Sequence, residues 1–152
     1  MKYSLFTPLL TLAFLSCSTT TPYSKTPKTE HQQLSQEYLS TLDFKGKEII
    51  SIKMNNQFYY VNQKGEKILT LTYDGEADPF SDGLARTKVN GKIGFFNKNL
   101  EIVLQPVYDF AFPFHNGTAE ICMGCKEEID DGTSMLNGGK WKKIDRDGLV
   151  IE

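Results

Sequence analysis

The chain has 152 residues, enough for one domain plus export segments. Its 17 basic and 19 acidic residues nearly cancel, which excludes a nucleic-acid binder built on a phosphate-neutralising basic patch. With 10 Phe and 7 Tyr against one Trp, the composition leans towards strands, because aromatic side chains suit pleated, half-buried surfaces.

The first element in chain order is an export signal, residues 1–16. Lys2 supplies a positive start, and Leu5 to Leu15 form an apolar run too short to span a bilayer. Ser16 followed by Cys17 resembles the lipobox of bacterial lipoproteins, with Phe14 where that family usually has Leu. The resemblance implies cleavage before Cys17, a diacylglyceryl group on its thiol and a membrane anchor through that lipid. With Ser18 rather than Asp next, it also implies the outer membrane in enteric-type bacteria, the domain facing the periplasm or the cell surface.

Residues 17–43 read as a lipidated tether. Ser18 to Gln33 is rich in Ser, Thr, Pro and Lys and has almost nothing to bury, so it is expected to stay flexible. Leu34, Tyr38 and Leu42 recur at i, i+4 and i+8, which predicts a short amphipathic helix packed on the domain edge.

Residues 44–152 are repetitive. Ile49 to Asn62 aligns without gaps on Leu84 to Asn97 at an offset of 35, and Tyr73-Asp74 on Tyr108-Asp109. "FSDGLA" at Phe80 returns as "FHNGTA" at Phe114, an offset of 34. "NGKIGFFNKN" at Asn90 returns as "GGKWKKIDRD" at Gly138, an offset of 48, so the third copy carries 14 additional residues near 123–137. Copies at about 44–79, 80–113 and 114–152 each read as three short strands. Asn-Gly or Gly-Gly is read as the first reversal, and a polar turn ("QKGE", "NKNL", "DRDG") as the second. The expected fold class is all-β: antiparallel meanders stacked in a small array, since one copy cannot bury its own apolar face.

"FSDGLA", "GKIGFFNKN", "LQPVYDFAFPF" and "GKWKKIDRDG" resemble the WG repeat family. Ile93 stands where the family has its Trp in the second copy, Lys142 replaces the Gly in the third, and the first copy has Phe58-Tyr59 there. The resemblance implies β-repeat architecture and a scaffold for binding more than an enzyme.

No residue set spells out a reaction. Of two histidines, His31 lies in the tether and His115 in a repeat turn, so a Ser-His-Asp arrangement has no base. "SMLNGGKW" has Ser134 and Trp141 where a phosphate loop needs Gly and Ser/Thr. "DRDG" lacks the later ligands of a calcium loop. Lys126 to Asp131 reads as a solvated acidic insertion before it reads as a cation site. No catalytic residue, metal or cofactor is expected. Tyr108, Phe110, Phe112 and Trp141 are the candidates for a surface that meets a protein or glycan partner. The competing reading puts the alternating Tyr108, Phe110, Phe112 and Phe114 into the core between copies.

Cys122 and Cys125 admit three readings: a disulfide staple, a thiol-disulfide redox site, or half of a zinc site. Zinc needs about four ligands, and no second Cys or His pair is at hand. A redox pair usually opens a helix, whose dipole lowers the thiol pKa, whereas this pair follows the strand "TAEIC" and enters "KEEIDD". Outside the cytoplasm disulfides persist, so the pair is expected to be oxidised, with Met123-Gly124 as the turn. Two functions follow: a lipid-anchored, non-catalytic envelope module that binds or supports, or a periplasmic thiol-disulfide protein.

Overall fold

A computed structural model describes residues 31–131 and 133–151 of the chain. The signal peptide, Cys17 and nearly all of the spacer lie outside the described residues.

Three antiparallel sheets follow one another, as repetition implied. The first copy supplies β2 (Ile49–Met54), β3 (Gln57–Asn62) and β4 (Glu66–Thr70), joined at one edge by β1 (Gln32–Gln33) in the order β1-β4-β3-β2. A two-stranded ribbon of β5 (Thr72–Tyr73) and β6 (Glu76–Ala77) leads on. The second copy is β7 (Leu84–Val89), β8 (Lys92–Asn97) and β9 (Ile102–Tyr108), and the last sheet is β10 (Phe110–Ala111), β11 (Thr118–Asp130) and β12 (Thr133–Asp145).

Local chemistry fixes the reversals. Asn55-Asn56, Asp74-Gly75 and Asn90-Gly91 all have φ near +50° to +80°, the pairing that two-residue hairpins with right-handed strand twist demand. The second turn is the same in every copy. The side-chain oxygen of Asn62 accepts from the backbone of Lys64 and Glu66, each at 3.0 Å. Asn97 does so for Asn99 and Glu101 at 2.9 and 3.0 Å, and Asp145 for Asp147 and Leu149 at 3.0 and 2.9 Å. These Asx turns hold the chain by contacts two and four residues away, so each copy makes its own.

Packing joins the copies. Phe95 and Phe96 are both fully buried and point to opposite faces of the middle sheet. Phe96 packs with Ile68, Ala85 and Leu100 towards the first copy, and Phe95 with Leu84, Leu104, Phe114, Ile121 and Ile144 towards the third. The middle sheet is therefore buried on both sides. Gly94 lets β9 pass close over β8: a Cβ there would lie 2.6 Å from the Leu104 carbonyl oxygen and 2.7 Å from the Pro106 nitrogen. The ladder shifts register at this point, and Pro106, with no N–H to lose, suits the irregularity.

The chain changes sheets at the end of each copy. After β4, the Leu71 N–H donates to the Arg86 carbonyl at 3.2 Å; after β9, the Asp109 N–H donates to the Cys122 carbonyl at 3.0 Å. A buried ion pair braces these crossings. The Asp78 carboxylate accepts from the Arg86 backbone N–H at 2.8 Å and from its Nε at 3.1 Å, while Arg86 Nη1 reaches the Ala111 carbonyl at 2.9 Å. Both charges are out of water, so this saturation with hydrogen bonds is what makes the burial tolerable.

Four expectations need correction. The spacer does not stay flexible to Gln33: Gln32 and Gln33 pair with Lys67 and Glu66, and Leu34 is buried. The helix is only α1 (Gln36–Ser40), capped by Ser35, whose side chain accepts from the Tyr38 N–H. Leu34, Tyr38 and Leu42 do not form one packed stripe, because Tyr38 is exposed and it is Leu39 that lies against Gly65. The 14 extra residues are mostly exposed, as a solvated insertion should be, but they are not a loop between short strands. They lengthen β11 and β12 to 13 residues each in one hairpin that keeps the same register on either side of a gap at Gly124 and Gly139. Nor is Gly138-Gly139 a reversal: the hairpin turns between Asp130 and Thr133, at Asp131 with φ +46°.

Candidate functional site

Period-two alternation sorts the third sheet. Ala111, Ala119, Ile121 and Ile144 point inward and are buried. The other face is set by register: Phe110 opposes Cys122, which opposes Trp141, and one step along, Glu120 opposes Lys143. The Phe112 N–H donates to the Glu120 carbonyl at 2.9 Å and so carries the ladder on to Phe112. Two rows of three result, Phe110–Cys122–Trp141 and Phe112–Glu120–Lys143.

Three of the four candidate surface residues thus come together. The Phe110 ring lies 5.1 Å from Phe112 and 6.0 Å from Trp141, and Phe112 and Trp141 are 6.0 Å apart with planes inclined by 30°. Phe112 remains 46% exposed and Trp141 44%. Tyr108 is elsewhere: it packs edge-on against Phe95 at 6.4 Å, and burial raises its phenol pKa. Phe114, by contrast, is buried against Phe95 at 4.8 Å. The core reading is right for Phe114, partly right for Tyr108 and Phe110, which are half-buried against the core between copies, and wrong for Phe112. Two grooves flank the rings. One of about 490 Å³ is lined by Phe112, His115, Glu120 and Lys143 among others, and one of about 250 Å³ by Glu120, Trp141, Lys142 and Lys143.

Among the described residues no further copy covers this face. Its equivalents in the second copy, Leu84, Arg86, Ile93 and Phe95, are covered by the third. Here Thr118, Glu120, Trp141 and Lys143 stand in their places, a polar end to a repeat array with aromatic rings left on it. Sequence reasoning missed Glu120 and Lys143 on this face. Alternation in "TAEIC" was a usable signal, since it sets Glu120 and Cys122 on the face opposite Ala119 and Ile121.

Cys122 and Cys125 form a disulfide within β11, their Cα atoms 6.0 Å apart. An extended strand would separate them by about 10 Å at its usual rise per residue. The chain is pinched at Met123-Gly124, where Gly124 has φ +81°. The partner strand gives way opposite: a Cβ on Gly139 would lie 2.6 Å from Cys122 Sγ and 2.7 Å from Cys125 Sγ. Gly139, at φ +73°, is the seat of the disulfide. Asp109 secures the same point. Its carboxylate accepts from the Gly124 N–H at 2.6 Å and pairs with the Lys92 ammonium. The Lys92 hydrogen bond, then the Gly124 N–H, hold the Asp109 carboxyl below its ordinary pKa. Cys122 is fully buried and Cys125 is 8% exposed, so an attacking thiolate has little access to either sulfur.

His115 flanks a two-residue turn, opposite Thr118 and before Asn116-Gly117, as Ser81 does before Asp82-Gly83. Among the described residues no group of three or more His, Cys, Asp or Glu is placed to hold a metal ion.

Residues 60–92 and 93–126 each match the family model of the WG containing repeat. The matched units start in β3 and β8, so they cut the periodicity at a different phase from the copies described above. No curated protein and no solved structure matches this chain.

Proposed function

We propose that this WG-repeat protein is a non-catalytic binding module of the bacterial cell envelope, anchored by lipid on Cys17, and that a partner docks on the outer face of its third copy. The observation that carries the reading is the cluster of Phe110, Phe112 and Trp141, left half-open at the end of the stack where the equivalent face of the second copy is covered. Aromatic side chains supply large, rigid contact area at low entropic cost and are enriched where interfaces form.

The thiol-disulfide alternative is the weaker reading. Its sulfurs are buried, they sit mid-strand, and no helix N-terminus is there to favour a thiolate. A staple that sets the path of β11 beside Trp141 accounts for the same bond.

Two measurements test the proposal. Mass spectrometry of the mature protein should find Cys17 as an acylated N-terminus, and Cys17→Ser should release the protein from membranes. A free Cys17 thiol would remove the anchor from the reading. Photo-crosslinking in intact envelope from position 141 should give adducts that Phe112→Ala abolishes at an unchanged urea midpoint. Adducts indifferent to Phe112→Ala would remove this face from the reading.

A further inference from the structure

β12 carries an open edge beside Trp141. We propose that an extended segment of a partner protein, alternating acidic and apolar residues, adds to this edge as an antiparallel strand, with an apolar side chain beside Trp141 and carboxylates opposite Lys140 and Lys142. The inference rests on the reading that a partner docks on the third copy, and names the mode of docking and the chemistry of the partner.

The first two copies show what this edge takes. Trp141 stands where they have Phe58 and Ile93, and there a third strand lies alongside: Thr70 of β4 opposes Phe58, and Tyr108 of β9 opposes Ile93. In the third copy Val150 opposes Ile144, and the Ile151 N–H donates to the Lys143 carbonyl at 2.9 Å. The backbone groups of Lys143 therefore point away from β11, and alternation points those of Trp141 the same way. Among the described residues β12 is the last strand of its sheet, and no strand pairs with that side of Trp141.

Charge selects the occupant. Lys140 and Lys142 flank Trp141 and lie on the other face by alternation, opposite Met123 and Ile121. Both are exposed, and among the described residues neither has a carboxylate partner. Lys140 is the equivalent of Lys92, whose ammonium pairs with Asp109, the residue that follows the third strand of its own copy. A strand with an acid on each side of an apolar residue repeats that pairing at Lys140 and adds a second at Lys142. Lys142 also replaces Gly94, the residue that lets β9 pass close with a shifted register, so the strand added here runs without that irregularity. Lysines along an edge discourage pairing with a like edge and favour a strand of opposite charge.

The full chain, purified in detergent, is titrated with acetyl-Glu-Val-Glu-Val-Thr-Val-Thr-amide, with the same peptide carrying Lys at both Glu positions, and with the acidic peptide N-methylated at its first Val. Trp141 is the only Trp of the chain, so its emission reports this edge. The acidic peptide should change that emission saturably and protect the Trp141 amide from hydrogen exchange. It should bind about tenfold tighter than the basic one, since two opposite-charge cross-strand pairs stand in place of two like-charge pairs. N-methylation removes the N–H that faces the Trp141 carbonyl and should abolish binding. Lys140→Glu together with Lys142→Glu should invert the preference at an unchanged urea midpoint. Binding that N-methylation spares would overturn strand addition, and equal affinity for the acidic and basic peptides would overturn the charge assignment. Self-association without peptide that protects the Trp141 amide would overturn the foreign strand in favour of a second copy. Silence with both peptides would overturn strand addition, while crosslinking from position 141 decides the docking reading independently.

Discussion

Gly139→Ala tests whether the disulfide and the hairpin arm are one mechanical unit. At φ +73° an L-residue loses about 1–2 kcal/mol relative to glycine through Cβ–carbonyl crowding. The added methyl would also lie 2.6 Å from Cys122 Sγ, 2.6 Å from the Cys125 nitrogen and 2.7 Å from Cys125 Sγ. Those atoms are backbone and a cross-linked pair, so none can swing aside. Forcing extra volume into such a site costs about 1–3 kcal/mol. The total, about 2–5 kcal/mol, falls on β11 and β12 beyond Cys122 rather than on the middle sheet. Hydrogen exchange resolved by residue should show the arm, Lys126 to Asn137, losing protection, while Phe95 and Phe96 keep theirs. Reducing the disulfide lets the Cys122–Cys125 segment extend and should bring the cost down towards the backbone share alone. An oxidised Gly139→Ala protein with wild-type protection in the arm, or a cost that reduction leaves unchanged, would refute the seat argument.

Two further outcomes follow from the packing and from Asp109. Removing residues 114–152 uncovers Leu84, Phe95 and Leu104, so the remainder should unfold; a cooperative urea transition in that fragment would refute stacking as the source of stability. The Asp109 pKa is lowered in the folded state, so its contribution is fully present above the ordinary carboxylate range, about pH 4, and is lost as pH falls through the lowered value. Acid should therefore speed exchange at the Gly124 amide, and Asp109→Asn should remove that pH dependence; an unchanged profile in Asp109→Asn would assign the acid sensitivity to another group.

Much of the fold was written in short-range chemistry. The turn pairs and the Asn62, Asn97 and Asp145 turns involve residues at most a few positions apart, and the offset of 35 between the first copies shows because the same local pattern recurs. The same holds for Gly124, whose place between two cysteines marked it as the bend. "IDDGTS" also carried a hairpin signal, Asp131-Gly132 amid alternation. Reading Gly138-Gly139 as the reversal, by its alignment with Asn90-Gly91, passed over that signal and hid the long arm.

What only the tertiary structure decided is which side of each strand meets another copy. Phe112 and Phe114 are two residues apart in one aromatic run, yet Phe114 fills the core against Phe95 and Phe112 stays at the surface. β10 covers only Phe110 and Ala111, and the chain leaves the sheet after Phe112, so strict alternation ends between the two. The Asp78–Arg86 brace closes on Ala111, 25 residues further on, and the seat at Gly139 exists only because β12 returns opposite Cys122 and Cys125. Sequence alone determined the repeat, its turns and the short strands of the first two copies, because turns and alternation are local, but not β1, the β5–β6 ribbon or the long β11–β12 arm. Faces, braces and the exposed aromatic cluster depend on contacts between distant segments, whose geometry arises only when the copies stack.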